Sequence, residues 1–417
     1  MRFLPWVIAL VAGTLAGAAT CAGFAVRRSR LALVGLAATV AVALLAVAVT
    51  AVWAQSGRPD TPVASVFIAL GALAGGYALA SELLPAATRP RSGRPRLDKV
   101  VPGTGIGVML LADAESSDYR ARDVTRDLDA FERADVSLPP HVARPFVYAS
   151  ERARYRVGGG SPARRAAASV AASLSARLSD QGVAAPVEVA FCSGGPSAAE
   201  VAVRLAARSG RRIVMACLTV AWTQTFDAAS TEVHALDPSR RQLAVEPTEP
   251  LWASHPIAVR AAERAFAAFG DSEVADGVVL VARGNPWQFD RLFPAAMEQT
   301  TFLSQRIRAE LIEAGLPSER VRQAWLEWEE PDVREAVRHL AALGAGHVAL
   351  LPVDLLYDSL ATSVDLPMAA ERAAAESDVL VALAPPLGDD PALIAALHDS
   401  VVEACRRLSG DDDTPHG

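Results

Sequence analysis

Three long apolar runs within the first 85 residues constrain this 417-residue chain more than any other feature. Residues 3–26, 31–54 and 63–85 are nearly free of charge. Each is long enough to cross a hydrocarbon core of about 30 Å. A retained first span is favoured over a cleaved signal peptide, because only Arg2 precedes it and a second apolar run follows closely. The sequence therefore predicts a three-helix transmembrane anchor over residues 1–87.

The basic residues indicate how this anchor is oriented. Three arginines lie in residues 27–30 and five Lys or Arg residues in residues 89–99, whereas the loop between the second and third runs has only Arg58. Loops rich in Lys and Arg stay on the cytoplasmic side of a membrane. We expect a multi-pass cell-membrane protein with its N-terminus outside and its large domain in the cytoplasm. The basic Pro/Arg linker, residues 88–105, is then a lipid-headgroup contact.

Composition excludes one class of partner and one class of site. The net charge is −7, and no Lys/Arg-rich stripe with interleaved aromatic residues follows the anchor, so no nucleic-acid partner is expected. The four cysteines are far apart, without the spacing of a zinc site or a disulfide framework. They are interpreted as buried thiols in a reducing compartment.

Beyond the linker, short β-branched runs alternate with helical patterns, and a parallel α/β fold is predicted. Strands are predicted at 107–111, 187–191, 212–218, 277–282 and 347–352, and helices at 163–179, 197–209, 257–269, 295–314, 331–343 and 391–408. The acidic tail, residues 410–417, is predicted to be disordered.

The segment 158–162, Gly-Gly-Gly-Ser-Pro, precedes an alanine-rich helix and is a candidate anion site. Its glycines permit a tight turn and its serine can cap the helix. The candidate ligand contacts are Arg154, Tyr155, Ser161 and Arg164. An ordinary capped helix with solvated arginines is the alternative, which spacing alone favours.

Three segments resemble ferrochelatases. Residues 154–162, Arg-Tyr-Arg-Val-Gly-Gly-Gly-Ser-Pro, resemble the family's Arg-Tyr-x-x-Ile-Gly-Gly-x-Ser-Pro segment. Residues 325–333 and 351–362 are similar to its Trp-Leu-Gly-Pro-Asp-Val and Pro-Val-Gly-Phe-x-x-Asp-His-Leu-Glu-Thr segments, in the same order. The resemblance implies two Rossmann-like, chelatase-type lobes, residues 106–245 and 246–409. Between them lies a cleft in which a divalent metal enters a tetrapyrrole, and sirohydrochlorin chelatases share this fold.

The resemblance fails at two positions that carry the family's chemistry. The His of the family's Ser-Ala-His-Gly-x-Pro segment falls on Arg283, and the Glu of Asp-His-Leu-Glu-Thr falls on Ala361. Arginine offers only donors, and alanine has no functional atom. We therefore expect a cleft that lacks proton acceptors. Arg283 is predicted either to hold a carboxylate such as a propionate or to form an ion pair across the cleft.

Three aspartates after the strand at 347–352 are weak candidates for a divalent metal. They are Asp354, Asp358 and Asp365, and Asp358 is also a candidate ligand contact. Carboxylate oxygens suit magnesium or calcium. Solvated or capping aspartates are the alternative interpretation, and the favoured one.

Three functions remain open from sequence. The leading hypothesis is a membrane-anchored, ferrochelatase-like protein, a pseudoenzyme that binds a tetrapyrrole or related anion without inserting metal. The second is an active metal chelatase of haem or sirohaem biosynthesis that uses substitute ligands. The third is an assembly platform for a protein partner in the membrane.

Overall fold

A computed structural model describes residues 4–25, 61–88, 105–237, 243–270 and 275–409. These residues belong to two compact units. The first combines the N-terminal helices with residues 118–159. The second contains the described residues of 93–117 and 160–417.

Two apolar helices form the N-terminal part of the first unit: α1 (Leu4–Ala25) and α2 (Thr61–Thr88). Within the described residues, only the segment Phe67–Thr88 of α2 is long and apolar enough to cross a membrane. The apolar part of α1, Leu10–Gly23, is shorter. Three spans are therefore not shown. The predicted second span, residues 31–54, and most of the linker lie outside the described residues.

Small residues let α1 and α2 pack closely. A Cβ added to Gly17 would lie 1.9 Å from the carbonyl oxygen of Leu73, and one added to Gly76 would lie 2.0 Å from that of Thr14. The contacts move from residues 69–73 to residues 73–77 as α1 advances from Gly13 to Gly17. The two helices therefore run in the same direction.

Two further helices complete the first unit: α3 (Ala121–Arg133) and α4 (Arg144–Val157), which follows a short 3₁₀ turn, His141–Ala143. Sequence periodicity did not identify these helices. An apolar cluster joins them to the end of α2, and its buried members are Leu84, Tyr119, Val124, Leu128 and Tyr148.

The second unit contains two four-stranded parallel sheets. The first has the order β2-β1-β3-β4, and the second has the order β6-β5-β7-β8. The strands are β1 (Ile106–Ala112), β2 (Val187–Phe191), β3 (Arg212–Leu218), β4 (Ala244–Pro247), β5 (Gly277–Ala282), β6 (Val321–Trp325), β7 (His347–Pro352) and β8 (Leu380–Leu383). The five predicted strands correspond to β1, β2, β3, β5 and β7. Of these, β1, β3, β5 and β7 are buried over most of their length because helices cover both faces, whereas β2 is buried only in its last two residues. The other three were missed.

Helices follow the strands in the order expected of a doubly wound sheet. They are α5 (Ala163–Asp180), α6 (Ala198–Arg208), α7 (Gln224–His234), α8 (His255–Phe266), α9 (Trp287–Leu292), α10 (Pro294–Glu313), α11 (Val333–Ala342), α12 (Leu366–Ser377) and α13 (Pro391–Ser409). The α/β fold with parallel sheets is confirmed.

One apolar core unites the two sheets. Val108 and Val214 of the first sheet and Val278 and Leu351 of the second belong to the same buried cluster. Although α13 follows the second sheet, it packs on β3, β4 and α5. Hydrophobic burial therefore holds the two lobes together, and their facing strand ends keep a fixed geometry.

The glycine packing of α1 and α2 can be tested with a matched pair of substitutions. Gly76→Ala should destabilise the full chain by about 1–3 kcal/mol, because the new methyl group meets the Thr14 carbonyl. Gly75→Ala is the control, since its Cβ would meet nothing within 4 Å. Thermal unfolding in detergent compares the two proteins. Equal melting temperatures would contradict the close packing.

Candidate functional site

Polar side chains follow the strands of both sheets and lie close enough for their charges to interact; the region between these strand ends is called the cleft. Asp113 and Glu115 follow β1, Cys192 follows β2, Arg283 follows β5, Glu327 follows β6, and Asp354 and Tyr357 follow β7. In open parallel sheets, ligands bind outside these carboxyl ends. The cleft therefore lies where the fold places a site.

Arg283 is the electrostatic centre of this cleft. Arg283 is exposed by its surface area, but protein atoms surround it closely enough to reduce the solvation of its charge. Burial disfavours its charged form, but nearby carboxylates outweigh that effect and hold the pKa of Arg283 above its usual value. These carboxylates come from both lobes: Asp113, Glu327, Glu115 and Asp354.

The backbone of Arg283 is fixed on both sides. Its N–H donates to both carboxylate oxygens of Asp354, at 3.1 Å each, and its carbonyl oxygen accepts from the N–H of Glu327 at 3.0 Å. Within the described part of the chain, the guanidinium makes no hydrogen bond and no ion pair within 4 Å. Its five N–H donors are therefore available to a ligand.

Gly284 shapes the turn that presents Arg283. Its φ is +83°, which favours glycine, and an added Cβ would lie 2.0 Å from the carbonyl oxygen of Glu327. No other residue type fits this turn without moving the loop after β6. The position of Arg283 thus depends on a glycine that follows it directly.

Two neutral groups lie beside the carboxylates. Burial, followed by the charges of Asp113 and Glu115, raises the pKa of Tyr357 well above its usual value. Burial, followed by the charge of Asp113, does the same for the Cys192 thiol. At neutral pH the phenol keeps its O–H as a donor, and the cysteine is a thiol instead of a reactive thiolate.

Glu115 connects the two lobes. Its Oε1 accepts a hydrogen bond from the Ser161 hydroxyl at 2.6 Å and another from the N–H of Leu360 at 2.6 Å. Leu360 precedes Ala361, the residue at the family's glutamate position. The carboxylate of Glu115, from the first lobe, therefore reaches the turn in which Ala361 replaces the family's glutamate.

At the predicted anion site, residues 158–162, the polar groups of Ser161 and of the neighbouring Arg164 form hydrogen bonds with other parts of the chain. Ser161 donates to Glu115 and accepts from the N–H of Ala163 at 3.1 Å. Arg164 donates to the carbonyl oxygens of Ser193 at 2.9 Å and of Gly195. Ser161 and Arg164 thus brace the loops after β1 and β2.

The remaining predicted site residues belong to other elements. Arg154 and Tyr155 belong to α4 in the first unit, where Arg154 pairs with Glu151 at 3.4 Å. Asp358 is exposed, and Asp365 directly precedes α12. Among the described residues, no group of three or more His, Cys, Asp or Glu side chains could hold a metal ion.

The carboxylates of the cleft correct one expectation from sequence. The cleft was expected to lack proton acceptors, because Arg283 and Ala361 replace the family's His and Glu. That expectation is wrong, since Asp113 and Glu115 enter the cleft from the first lobe. Their position directly after a buried strand was the signal that could have identified them.

Two parallel sheets whose strand ends face one cleft define a chelatase-type α/β protein. A sequence model described as Ferrochelatase matches residues 138–405. The chain belongs to the ferrochelatase family. A search of curated proteins gave no match.

The similar solved structures are distant in sequence. SirB from Bacillus subtilis with Fe³⁺ is 13% identical with a TM-score of 0.46, and the alignment covers 75% of this chain and 100% of that one. SirB from Bacillus subtilis subspecies spizizenii, a sirohydrochlorin chelatase in complex with cobalt, is 12% identical with a TM-score of 0.42. The alignment covers 74% of this chain and 98% of that one. DR2241 from Deinococcus radiodurans is 13% identical with a TM-score of 0.42, and the alignment covers 72% of this chain and 56% of that one.

The turn at Gly284 gives a prediction with a control in the same unit. Gly284→Ala should lower the free energy of unfolding by about 3 kcal/mol, since it adds a backbone clash to an unfavourable φ. Gly182→Ala, just after the end of α5, has a similar φ of +77° but its Cβ would meet nothing within 4 Å, so it should lose only about 1 kcal/mol of that free energy. Chemical denaturation measures both. Equal losses would show that the contact with Glu327 is not fixed.

The charge of Arg283 should control the pH dependence of stability. Burial raises the pKa of Asp354, and the charge of Arg283 opposes that rise, so in Arg283→Gln the pKa of Asp354 should rise further above its unfolded value of about 4. The folded state then binds more protons than the unfolded state, and stability falls as pH rises through that range. Arg283→Lys keeps the positive charge, so its stability should fall less as the pH rises.

Unfolding midpoints at pH 5 and pH 7.5 measure this difference. We expect Arg283→Gln to lose about 1–3 kcal/mol more than Arg283→Lys between the two pH values. Parallel pH profiles for the two variants would contradict the electrostatic role of Arg283.

Proposed function

We propose that this protein is a membrane-anchored member of the ferrochelatase family that binds a tetrapyrrole in its interlobe cleft without inserting a metal. The observation that carries the proposal is the guanidinium of Arg283. It is a permanent cation whose side-chain donors meet no acceptor among the described residues, at the position that corresponds to the family's histidine. The corresponding glutamate position is Ala361, which is buried and has no functional atom.

Metal insertion makes demands that this cleft meets poorly. Two pyrrole N–H protons must leave while a divalent cation enters, which requires acceptors that are free to take a proton or ligate the metal. Arg283 only donates. Glu115 already accepts two protein hydrogen bonds, Asp354 accepts two from one N–H, and Asp113 accepts one from Thr225 at 3.2 Å.

The mixture of donors and acceptors favours a free-base tetrapyrrole. Such a ring presents both pyrrole N–H donors and imine nitrogen acceptors. Arg283 and the neutral Tyr357 can donate, and Glu327 can accept. A ligand carboxylate, such as a propionate, could instead pair with Arg283 in bidentate fashion.

The packing of α1 and α2 supports the proposed three-span anchor. Because the two helices run in the same direction, the chain must return from the end of α1 to the start of α2. The apolar run at residues 31–54 has the length to make that return across a bilayer. With the basic loops inside, the N-terminus lies outside and the chelatase-type lobes lie in the cytoplasm.

Spectral titration of the full chain in detergent tests the proposal. Free-base coproporphyrin, protoporphyrin and sirohydrochlorin are added in turn, and we expect a saturable shift of the Soret band with at least one of them. Arg283→Lys should weaken that binding about tenfold, since one charge-assisted contact contributes about 1.5 kcal/mol. Arg372→Gln, an exposed arginine on α12, should bind like the unchanged protein.

Metal insertion is measured on the same samples. With ferrous iron, cobalt or zinc added, metalloporphyrin or metallated sirohydrochlorin should form no faster than without protein. Absence of binding by all three tetrapyrroles would reject the proposal, and so would equal affinities for Arg283→Lys and Arg372→Gln.

A second candidate function is metal insertion by substitute groups. It is favoured by the position of Glu115, whose carboxylate lies beside the turn that begins at Ala361. Asp113 and Glu115 would then take the pyrrole protons. Turnover by the unchanged protein that Asp113→Asn or Glu115→Gln reduces at least a hundredfold would support this function over simple binding.

A further inference from the structure

Two exposed tryptophans lie on the loops that surround Arg283. Trp287 is 63% exposed and Trp328 is 53% exposed, whereas the other tryptophans whose side chains the structure describes are partly buried. Trp287 follows Arg283 by four residues and begins α9, and Trp328 belongs to the loop after β6. Large exposed apolar side chains mark binding surfaces, and tryptophan and arginine supply much of the affinity of such surfaces.

The loops after β5 and β6 are fastened to each other, so the backbone beside Trp287 is held in place. The N–H of Asn285 donates to Oε1 of Glu329 at 3.2 Å, and the N–H of Glu327 donates to the carbonyl oxygen of Arg283 at 3.0 Å. Since each residue spans at most about 3.6 Å, the Cα atoms of Arg283 and Trp287 are no more than about 14 Å apart. A tetrapyrrole with its peripheral side chains spans a distance of this order.

Arg291 lies over the ring of Trp287. Its Cζ is 5.2 Å from the ring centroid, and the two residues are one helical turn apart in α9. The face of an indole ring attracts a cation, so the ring holds the guanidinium in position. Within the described part of the chain, that guanidinium makes no hydrogen bond and no ion pair. Stacking uses its flat face, and the N–H donors at its edge are therefore open to a carboxylate.

The carboxylate next to Arg291 in sequence is turned away from it. Oδ1 of Asp290 is buried and has no hydrogen-bond partner among the described residues. Burial raises the pKa of this carboxyl, and a hydrogen bond with the side chain of Asn285 opposes the rise. Asp290 is thus directed into the protein, while Arg291 stays exposed beside Trp287.

We infer that Trp287 and Arg291 form a second carboxylate-binding contact, beside Arg283, that selects tetrapyrroles with carboxylates on more than one edge. This inference rests on the tetrapyrrole binding of the proposed function. A peripheral carboxylate of the ligand pairs with the edge of the Arg291 guanidinium, and Trp287 orients that guanidinium.

Two porphyrins differ in the property that this contact reads. Coproporphyrin carries a propionate on every pyrrole ring, whereas protoporphyrin carries its propionates on two neighbouring rings. Coproporphyrin can therefore present carboxylates to Arg283 and Arg291 from different edges at the same time, and protoporphyrin cannot. The ratio of their dissociation constants measures the contribution of the second contact.

Paired titrations of the full chain in detergent test the inference. We expect Arg291→Gln to weaken coproporphyrin binding about tenfold and protoporphyrin binding less than about twofold, because a single charge-assisted contact is lost. Trp287→Leu should weaken coproporphyrin binding about threefold, since the guanidinium loses the ring that orients it, and Trp287→Phe should lose less. Arg372→Gln, on the exposed surface of α12, is the control and should leave both affinities unchanged.

The ratio separates a lost contact from a general loss of structure. An unchanged ratio in Arg291→Gln, whether neither affinity falls or both fall equally, would overturn the inference. Arg291→Met, which keeps the length of the side chain, serves as the second variant if the glutamine variant lowers the melting temperature. Binding that Arg283→Lys weakens and Arg291→Gln leaves intact would reject the second contact alone. Failure of the unchanged protein to bind either porphyrin would reject the proposed function, and the inference with it.

Discussion

The rest of the structure depends on one charge interaction, a single guanidinium shared by carboxylates from two lobes. Opposite charges close to one another each favour the ionised form of the other. Asp113 and Glu115 belong to the first lobe, and Glu327 and Asp354 belong to the second. Arg283 therefore lowers the repulsion that would otherwise separate the strand ends, and the common apolar core holds them in place.

This arrangement changes what a chelatase-type cleft can do. The backbone around Arg283 is held by Asp354 and Glu327, and Gly284 permits the turn, so the guanidinium is presented to the cleft in a defined position. Its donors can meet a ligand, whereas a metal ion would have to approach a permanent cation. Asp113 and Glu115 keep the cleft acidic, and both already accept hydrogen bonds from the protein, one at Asp113 and two at Glu115. The proposed binding without metallation rests on these properties together.

Sequence patterns predicted the parts of the fold in which local and global signals agree. The strands β1, β3, β5 and β7 are buried on both faces, which leaves continuous apolar runs. The short edge strands β4 and β8 have partly exposed residues and give no such run. Motif comparison identified Arg283 and Ala361. The contact of Glu115 with Leu360 joins residues 245 positions apart, so no local pattern could reveal it.

Anomalous diffraction from crystals of the full chain, soaked with free-base coproporphyrin and then with zinc, tests the central claim most directly. The account predicts porphyrin density between the strand ends of the two sheets, with Arg283 in contact with the ligand and no anomalous peak at the ring centre. A zinc peak at the ring centre with the carboxylate of Asp113 or Glu115 beside it would contradict the account, because the cleft would then be an insertion site.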